Sequence, residues 1–195
     1  TPFLARNNLK SQRLVGKGAE AHNAGLFDRA EKYYKSALKF QRDNPDALHL
    51  LGLISHQKGR NGYAAKLIAR AISLKPVEPA YNTNMAIVLN ALGRWSEAEN
   101  ASIVAIKTEP RHAEAYNSLG RALAAQNKYA EAEEAYHKAI EFAPKNAAAE
   151  NNLGYLYMQL ERHDLAEEAF RRSIKIDGTF LLAYSNLATT YMAMN

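Results

Sequence analysis

Asparagine is the residue type whose spacing in this sequence points most directly to chemistry. Asn84, Asn152 and Asn186 are separated by multiples of 34 positions, and Asn117 and Asn151 show the same interval one position earlier. A carboxamide offers hydrogen-bond donors and an acceptor, so it can pair with a peptide backbone amide. A regular ladder of carboxamides would hold an extended polypeptide with little preference for its side chains. The alternative is that asparagine is simply common at a recurring structural position.

Histidines form a second candidate group. His49 and His56 lie seven positions apart, about two helical turns, so they would share one helix face. That separation is too wide for two ligands of one metal ion, and no carboxylate beyond Asp46 lies nearby in sequence. We therefore expect these histidines to line a polar surface, and we predict no metal site and no cofactor.

Sequence signatures of catalysis are absent. The chain contains no GxxxxGK[ST] phosphate loop, no HExxH and no GxSxG motif. It contains no cysteine, which excludes disulfides and cysteine nucleophiles. The acidic group Glu131, Glu133 and Glu134 is expected to be solvated charge on a helix. We predict that this chain is not an enzyme and takes no small-molecule substrate.

Composition and charge narrow the class of partner. No apolar run approaches the roughly 20 residues that cross a bilayer, and we expect a cytoplasmic location, with the periplasm as the alternative. Residues 1–78 contain 14 basic and 6 acidic residues, whereas residues 79–195 contain 11 basic and 14 acidic residues. This asymmetry favours an acidic neighbour near the N-terminal end; the alternative is a solvated helix surface with no functional role. We do not expect nucleic-acid binding, because the aromatic residues of the basic region fall at core positions.

A 34-residue repeat organises the chain. Apolar residues spaced three and four apart predict helices rather than strands, and small residues recur every 34 positions within this pattern. These small residues are Gly18, Gly52, Ala86, Gly120, Gly154 and Ala188. A second series lies twelve positions further on and comprises Ala30, Ala64, Ala98, Ala132 and Ala166. Small residues at both places let two antiparallel helices approach closely, and large residues at Tyr34, Ile68, Tyr136 and Phe170 are expected to fill the space between neighbouring repeats.

Turn signals occur at the same spacing. Residues that tolerate a left-handed backbone follow the first helices at Gly25, Gly59, Gly93 and Asn127. Proline, which cannot continue a helix, closes the second helices at Pro76, Pro110 and Pro144. We predict a single domain of repeats at 11–44, 45–78, 79–112, 113–146 and 147–180 with a half repeat at 181–195, after an N-terminal extension or extra helical segment at 1–10. The aromatics that follow the inter-helix turns, Phe27, Trp95 and Tyr129, are expected to be structural.

This framework of small residues, alanines and prolines resembles the tetratricopeptide repeat (TPR), and the resemblance covers residues 11–195. It implies an all-α fold, a right-handed superhelical solenoid of stacked antiparallel helix pairs, in which the first helices line a concave groove. The residues then expected to bind a peptide or partner protein are His49, His56, Asn84, Asn90, Asn117, Arg121, Asn151, Asn152, Tyr155 and Asn186. The asparagines are similar to the ladder in the superhelical arm of O-linked N-acetylglucosamine transferases. The cation clamp with which some TPR proteins bind a C-terminal carboxylate lacks its cations here.

Three functional hypotheses follow, two from this resemblance and one from the charge gradient and an apolar stripe. The first is a non-catalytic protein–protein interaction scaffold that binds an extended peptide or partner protein in its concave groove. The second is a substrate-recognition arm of a larger enzyme, of the glycosyltransferase, sulfotransferase or methyltransferase type, with a catalytic domain after Asn195. The third is a self-assembling scaffold that uses an apolar stripe on the last helix. That stripe comprises Leu181, Tyr184, Leu187, Ala188 and Tyr191.

Overall fold

The computed structural model describes residues 2–194, and over these residues the chain forms eleven α-helices and no strand. The helices are α1 (Pro2–Asn23), α2 (Phe27–Phe40), α3 (Pro45–Gln57), α4 (Asn61–Leu74), α5 (Pro79–Ala91), α6 (Trp95–Thr108), α7 (Ala113–Ala125), α8 (Tyr129–Phe142), α9 (Ala147–Gln159), α10 (His163–Ile176) and α11 (Leu181–Met194). From α3 onward the first helices start at the constant interval that the repeat predicts. Residues 2–10 form the N-terminal part of α1.

Local sequence explains where the first helices begin. Pro45 and Pro79 are the first residues of α3 and α5, where a missing backbone N–H costs no helical hydrogen bond. The side chain of Asn44 accepts a hydrogen bond from the backbone N–H of Ala47 at 3.0 Å. Asn146 caps α9 in the same way. These caps satisfy N–H groups that have no partner inside the helix.

Residues with positive φ separate the two helices of each repeat. The four predicted positions are confirmed, with φ of 73° at Gly25, 73° at Gly59, 71° at Gly93 and 60° at Asn127. The corresponding turn between α9 and α10 places Glu161 at φ 58°. The sequence pattern did not predict this, because a glutamate side chain disfavours the left-handed region.

The helices form two compact units, Thr1–Arg94 (the first unit) and Trp95–Asn195 (the second unit). In the first unit, α1 pairs with α2 and α3 with α4, while α2 packs on α3 and α4 on α5. In the second unit, α7 pairs with α8 and α9 with α10, while α6 packs on α7, α8 on α9 and α10 on α11. None of the described helices is both long and apolar enough to cross a membrane.

A glycine facing a large side chain holds each of four helix pairs together. Gly120 in α7 lies against the ring of Tyr136 in α8, and a Cβ atom at Gly120 would lie 2.6 Å from the nearest ring carbon. The same relation joins Gly18 to Tyr34, Gly52 to Ile68 and Gly154 to Phe170. The large residues therefore fill the space between the two helices of their own repeat. The sequence analysis had expected them to fill the space between neighbouring repeats, so this contact is an additional role. In the third repeat the residues at the corresponding sequence positions are Ala86 and Ser102.

Two neighbouring glycines in α1 test this packing. Gly18→Ala places a methyl group against the fully buried ring of Tyr34, whereas an added Cβ at Gly16 meets nothing within 4 Å. We expect Gly18→Ala to lower the free energy of unfolding by about 1–2 kcal/mol, because overpacking outweighs the gain in helix propensity. Gly16→Ala, the matched control, gains only the propensity and should raise it by up to about 1 kcal/mol. Urea denaturation followed by circular dichroism measures both, and equal stability of the two variants would contradict this packing.

Candidate functional site

The polar residues predicted from the sequence meet in pairs that are 35 residues apart. In each pair the carboxamide nitrogen of an asparagine donates to a side chain of the preceding first helix. These bonds are Asn84 Nδ2 to His49 Nε2 at 2.8 Å, Asn152 Nδ2 to Asn117 Oδ1 at 3.0 Å, and Asn186 Nδ2 to Asn151 Oδ1 at 2.9 Å. The first pair lies in the first unit, and the other two lie in the second unit.

The separation of 35 residues reflects how consecutive first helices stack. Helices α3 and α5, α7 and α9, and α9 and α11 are in direct contact. This separation is one residue longer than the repeat. Each residue therefore contacts, in the next repeat, the residue that follows its own equivalent. The hydrogen bonds between Tyr81 and Asp46 and between Gln57 and His22 span the same separation.

This pairing changes what the asparagines offer to a ligand. Asn84, Asn152 and Asn186 each use one N–H inside the protein, and the bonds from Asn152 and Asn186 occupy the Oδ1 atoms of their asparagine partners. The Oδ1 atoms of Asn152 and Asn186 have no hydrogen-bond partner among the described residues. The asparagines therefore present acceptors for an N–H group, in addition to joining consecutive repeats.

A groove of about 450 Å³ in the second unit crosses α7, α9 and α11. It brings together five of the ten predicted residues, namely Arg121, Asn151, Asn152, Tyr155 and Asn186. The other lining residues are Ala124, Ala125, Tyr136, Trp95, Gln159 and Leu182. Asn117 does not line the groove, but it fixes Asn152, which does.

The remaining predicted residues lie in the first unit. His49 is 7% exposed and Asn90 is 2% exposed, so neither offers much surface to a ligand. His56 and Asn84 are half-buried, and Nδ1 of His56 lies 2.7 Å from Oδ1 of Asn61. None of these four residues lines the groove of the second unit.

Sequence reasoning missed Trp95 and Leu182 as residues of this groove. Trp95 was expected to be a structural aromatic, but it is half-buried and lines the groove from the first turn of α6. Leu182 is 54% exposed at the start of α11. Phe27, at the same repeat position as Trp95, is also exposed. A residue in the first turn of a second helix can therefore stay accessible, and this position was the available signal for Trp95.

One positive charge stands alone in the groove. Arg121 is exposed, forms no ion pair within the described part of the chain, and shares the groove with no Asp or Glu. Burial raises the pKa of Tyr136 well above its usual value, so this phenol stays neutral, and the charge of Arg121 only partly opposes that shift. The groove therefore combines one cation with aromatic, apolar and carboxamide groups.

His49 occupies a different environment in the first unit. Burial lowers its pKa from 6.5 to about 4, against a smaller opposite effect of Asp46. Its ring centroid lies 4.4 Å from that of Tyr81, whose hydroxyl donates to Asp46. Because Nε2 accepts from Asn84, the bond needs the neutral imidazole. Within residues 2–194, no group of three or more His, Asp or Glu side chains could hold a metal ion.

Comparisons with known proteins identify repeats of one kind along the chain. The tetratricopeptide repeat family profile matches residues 17–79, 83–147 and 125–179. The chain is similar to TTC0263, a thermophilic TPR protein of Thermus thermophilus, with a TM-score of 0.80, 19% identity, and 93% of this chain and 99% of that chain covered. No curated protein sequence matches significantly.

Two further solved structures support the same fold. MamA (residues 41 to the end) from Desulfovibrio magneticus RS-1 matches with a TM-score of 0.72 and 19% identity, over 88% of this chain and 97% of that chain. YrrB, described as a TPR protein with an unusual peptide-binding site, matches with a TM-score of 0.66 and 21% identity, over 88% and 89%. The all-α superhelical fold class predicted from the sequence is therefore confirmed.

Acid should weaken the first unit through His49. The unfolded chain binds a proton at this histidine below pH 6.5, whereas the folded chain does so only near pH 4. Stability is thus fully present above pH 6.5 and falls towards pH 4, by up to about 3 kcal/mol. Asp46 titrates lower still: burial raises its pKa, but hydrogen bonds from Tyr81 and Lys75 outweigh that and hold it below 3.8.

Urea denaturation at several pH values between 7 and 4 measures this effect. His49→Gln should flatten the pH dependence, because glutamine does not titrate. His137→Gln, which removes an exposed histidine of the second unit and leaves His49 in place, is the control and should keep the loss of stability that His49 causes towards pH 4. An identical pH profile for His49→Gln and the wild type would contradict the assignment.

Proposed function

The chain belongs to the tetratricopeptide repeat family, whose profile matches most of its length, and from this premise we propose that it is a non-catalytic protein-interaction scaffold. It binds an extended segment of a partner protein in the groove of the second unit. The observation that carries the proposal is the convergence of Trp95, Arg121, Asn152, Tyr155 and Asn186 on one groove. Repeats of this family typically serve protein–protein interaction. The family profile matches only repeats of this kind in the chain.

The shape of the groove favours an extended ligand. It crosses three consecutive first helices, and contacting helices lie about 8–10 Å apart. Two such steps correspond to about six residues of extended chain at roughly 3.3 Å each. A peptide backbone has N–H groups along its length, and the Oδ1 atoms of Asn152 and Asn186 recur once per repeat to accept from them. YrrB, which shares the fold, is described as having a peptide-binding site.

Aromatic and apolar groups supply the rest of the expected binding energy. Tyr155 is 49% exposed within the groove, and Leu182 is exposed beside it. Aromatic rings bury large areas on binding and often dominate the energetics of interfaces. The carboxamides then set the path of the backbone, while the rings hold one or two side chains.

A peptide array followed by solution titration tests this proposal. Trp95 is the single tryptophan of the chain, so its fluorescence reports on occupancy of the groove. We expect peptides selected by the array to change this fluorescence and to bind at least about tenfold more weakly to Tyr155→Ala, equivalent to about 1.4 kcal/mol.

Tyr63→Ala is the matched control, because Tyr63 is 44% exposed but lies in the first unit. It should bind the selected peptides as the wild type does. Equal loss in the two variants, or no loss in Tyr155→Ala, would count against the groove as the binding site.

Self-association is a second candidate function, favoured by the apolar surface of α11. Leu181 is 79% exposed and Met192 is 81% exposed, and exposed apolar surface of this kind commonly marks an interaction site. We expect the sedimentation-equilibrium mass to rise with protein concentration and Met192→Lys to suppress the rise. A monomer mass at every concentration would exclude this candidate.

A further inference from the structure

Arg121 is the cation that lines the groove, in a unit that has an excess of acidic residues. Residues 95–195 contain 10 Lys and Arg against 14 Asp and Glu. Several other cations of this unit pair with carboxylates, as Lys128 does with Glu99, Arg162 with Glu133, and Arg172 with Glu150. The guanidinium of Arg121 has no such carboxylate among the described residues and lies in a groove without acidic lining. It is therefore available to a carboxylate from outside.

Apolar surface lies in the same groove as this cation. Tyr155 in α9 occupies the same position within its repeat as Arg121 does in α7, one repeat earlier. Trp95 and the exposed side chain of Leu182 line the same groove. A ligand that follows the groove therefore meets a positive charge on one helix and an aromatic ring on the next.

We propose that the groove selects an extended segment of a partner protein that contains an acidic side chain and, about three positions away, a large apolar side chain. This inference rests on the proposed peptide-binding function and specifies its ligand. The acidic side chain pairs with Arg121 in α7, and the apolar side chain packs on Tyr155 in α9. The spacing follows from one helix-to-helix step of about 8–10 Å and an advance of about 3.3 Å per extended residue.

The charge of the second unit argues for a sparsely acidic peptide rather than a nucleic acid. A nucleic acid presents a phosphate at every nucleotide, and its binding depends on many Lys and Arg contacts. The groove offers one cation, within a unit whose acidic residues outnumber its basic ones. One carboxylate is attracted to Arg121, while a polyphosphate chain is repelled by the remainder of the unit.

Charge-matched peptides test the proposal directly. The probe is an acetylated and amidated eight-residue peptide with one Glu and, three positions later, one Phe among Ser and Ala residues. Its analogues replace Glu with Gln or Lys, or Phe with Ala. Binding is followed by Trp95 fluorescence. We expect both the Gln and the Ala analogue to bind the wild type about fivefold more weakly than the parent, and the preference for Glu over Gln to vanish at high salt.

Charge reversal supplies the matched variants. Arg121→Glu should weaken binding of the Glu peptide about tenfold, leave the Gln peptide unchanged, and bind the Lys peptide better than the wild type does. Arg111→Glu makes the same change in net charge at an exposed arginine that does not line the groove. This control should bind all the peptides as the wild type does.

The failures of the two proposals are distinguishable. If the Glu and Gln peptides bind the wild type equally and Tyr155→Ala still weakens both, the preference for an acidic segment is overturned while the peptide-binding function stands. If neither these peptides nor any array peptide changes Trp95 fluorescence, both proposals fail. If a single-stranded oligonucleotide competes with the Glu peptide at lower concentration than the unlabelled peptide does, the ligand class is wrong.

Discussion

The contact between a glycine of the first helix and a large side chain of the second is the constraint on which the rest of the structure depends. At Gly18, Gly52, Gly120 and Gly154 an added Cβ would overlap the partner side chain. The two helices can therefore approach closely only with their small residues opposed, which fixes their rotation and their register. Once each pair is fixed, stacking buries the apolar faces that no single repeat could bury alone.

Fixed register gives the polar side chains their positions. Consecutive first helices meet with an offset of one position, so that Asn117 faces Asn152 and Asn151 faces Asn186. We infer a division of roles in the groove from this geometry. The carboxamide nitrogens of Asn152 and Asn186 join one repeat to the next, and their Oδ1 atoms remain for a ligand together with the other groove residues. The same residue type thus serves both the solenoid and its surface.

Sequence alone predicted the elements and most turns, because helix periodicity, small residues and turn glycines are local or strictly periodic signals. It did not predict the left-handed Glu161, since the rest of the repeat imposes that conformation against the preference of the residue. Nor did it predict that the asparagines pair with each other. An alignment of the repeats places equivalent residues 34 positions apart, whereas the bonded asparagines are 35 positions apart. Trp95 was expected to be a structural aromatic because it follows an inter-helix turn, although its place at the start of α6 lets it line the groove.

A two-dimensional ¹⁵N–¹H spectrum of the side-chain amides and the indole tests the central claim, that the groove of the second unit binds an extended segment, most directly. The chain has one tryptophan indole, and the carboxamides of Asn152 and Asn186 lie in the groove while that of Asn84 is paired with His49 in the first unit. On addition of a bound peptide, the Trp95 indole and the carboxamides of Asn152 and Asn186 should shift, and that of Asn84 should stay in place. A shift at Asn84 with an unchanged Trp95 indole would contradict the account.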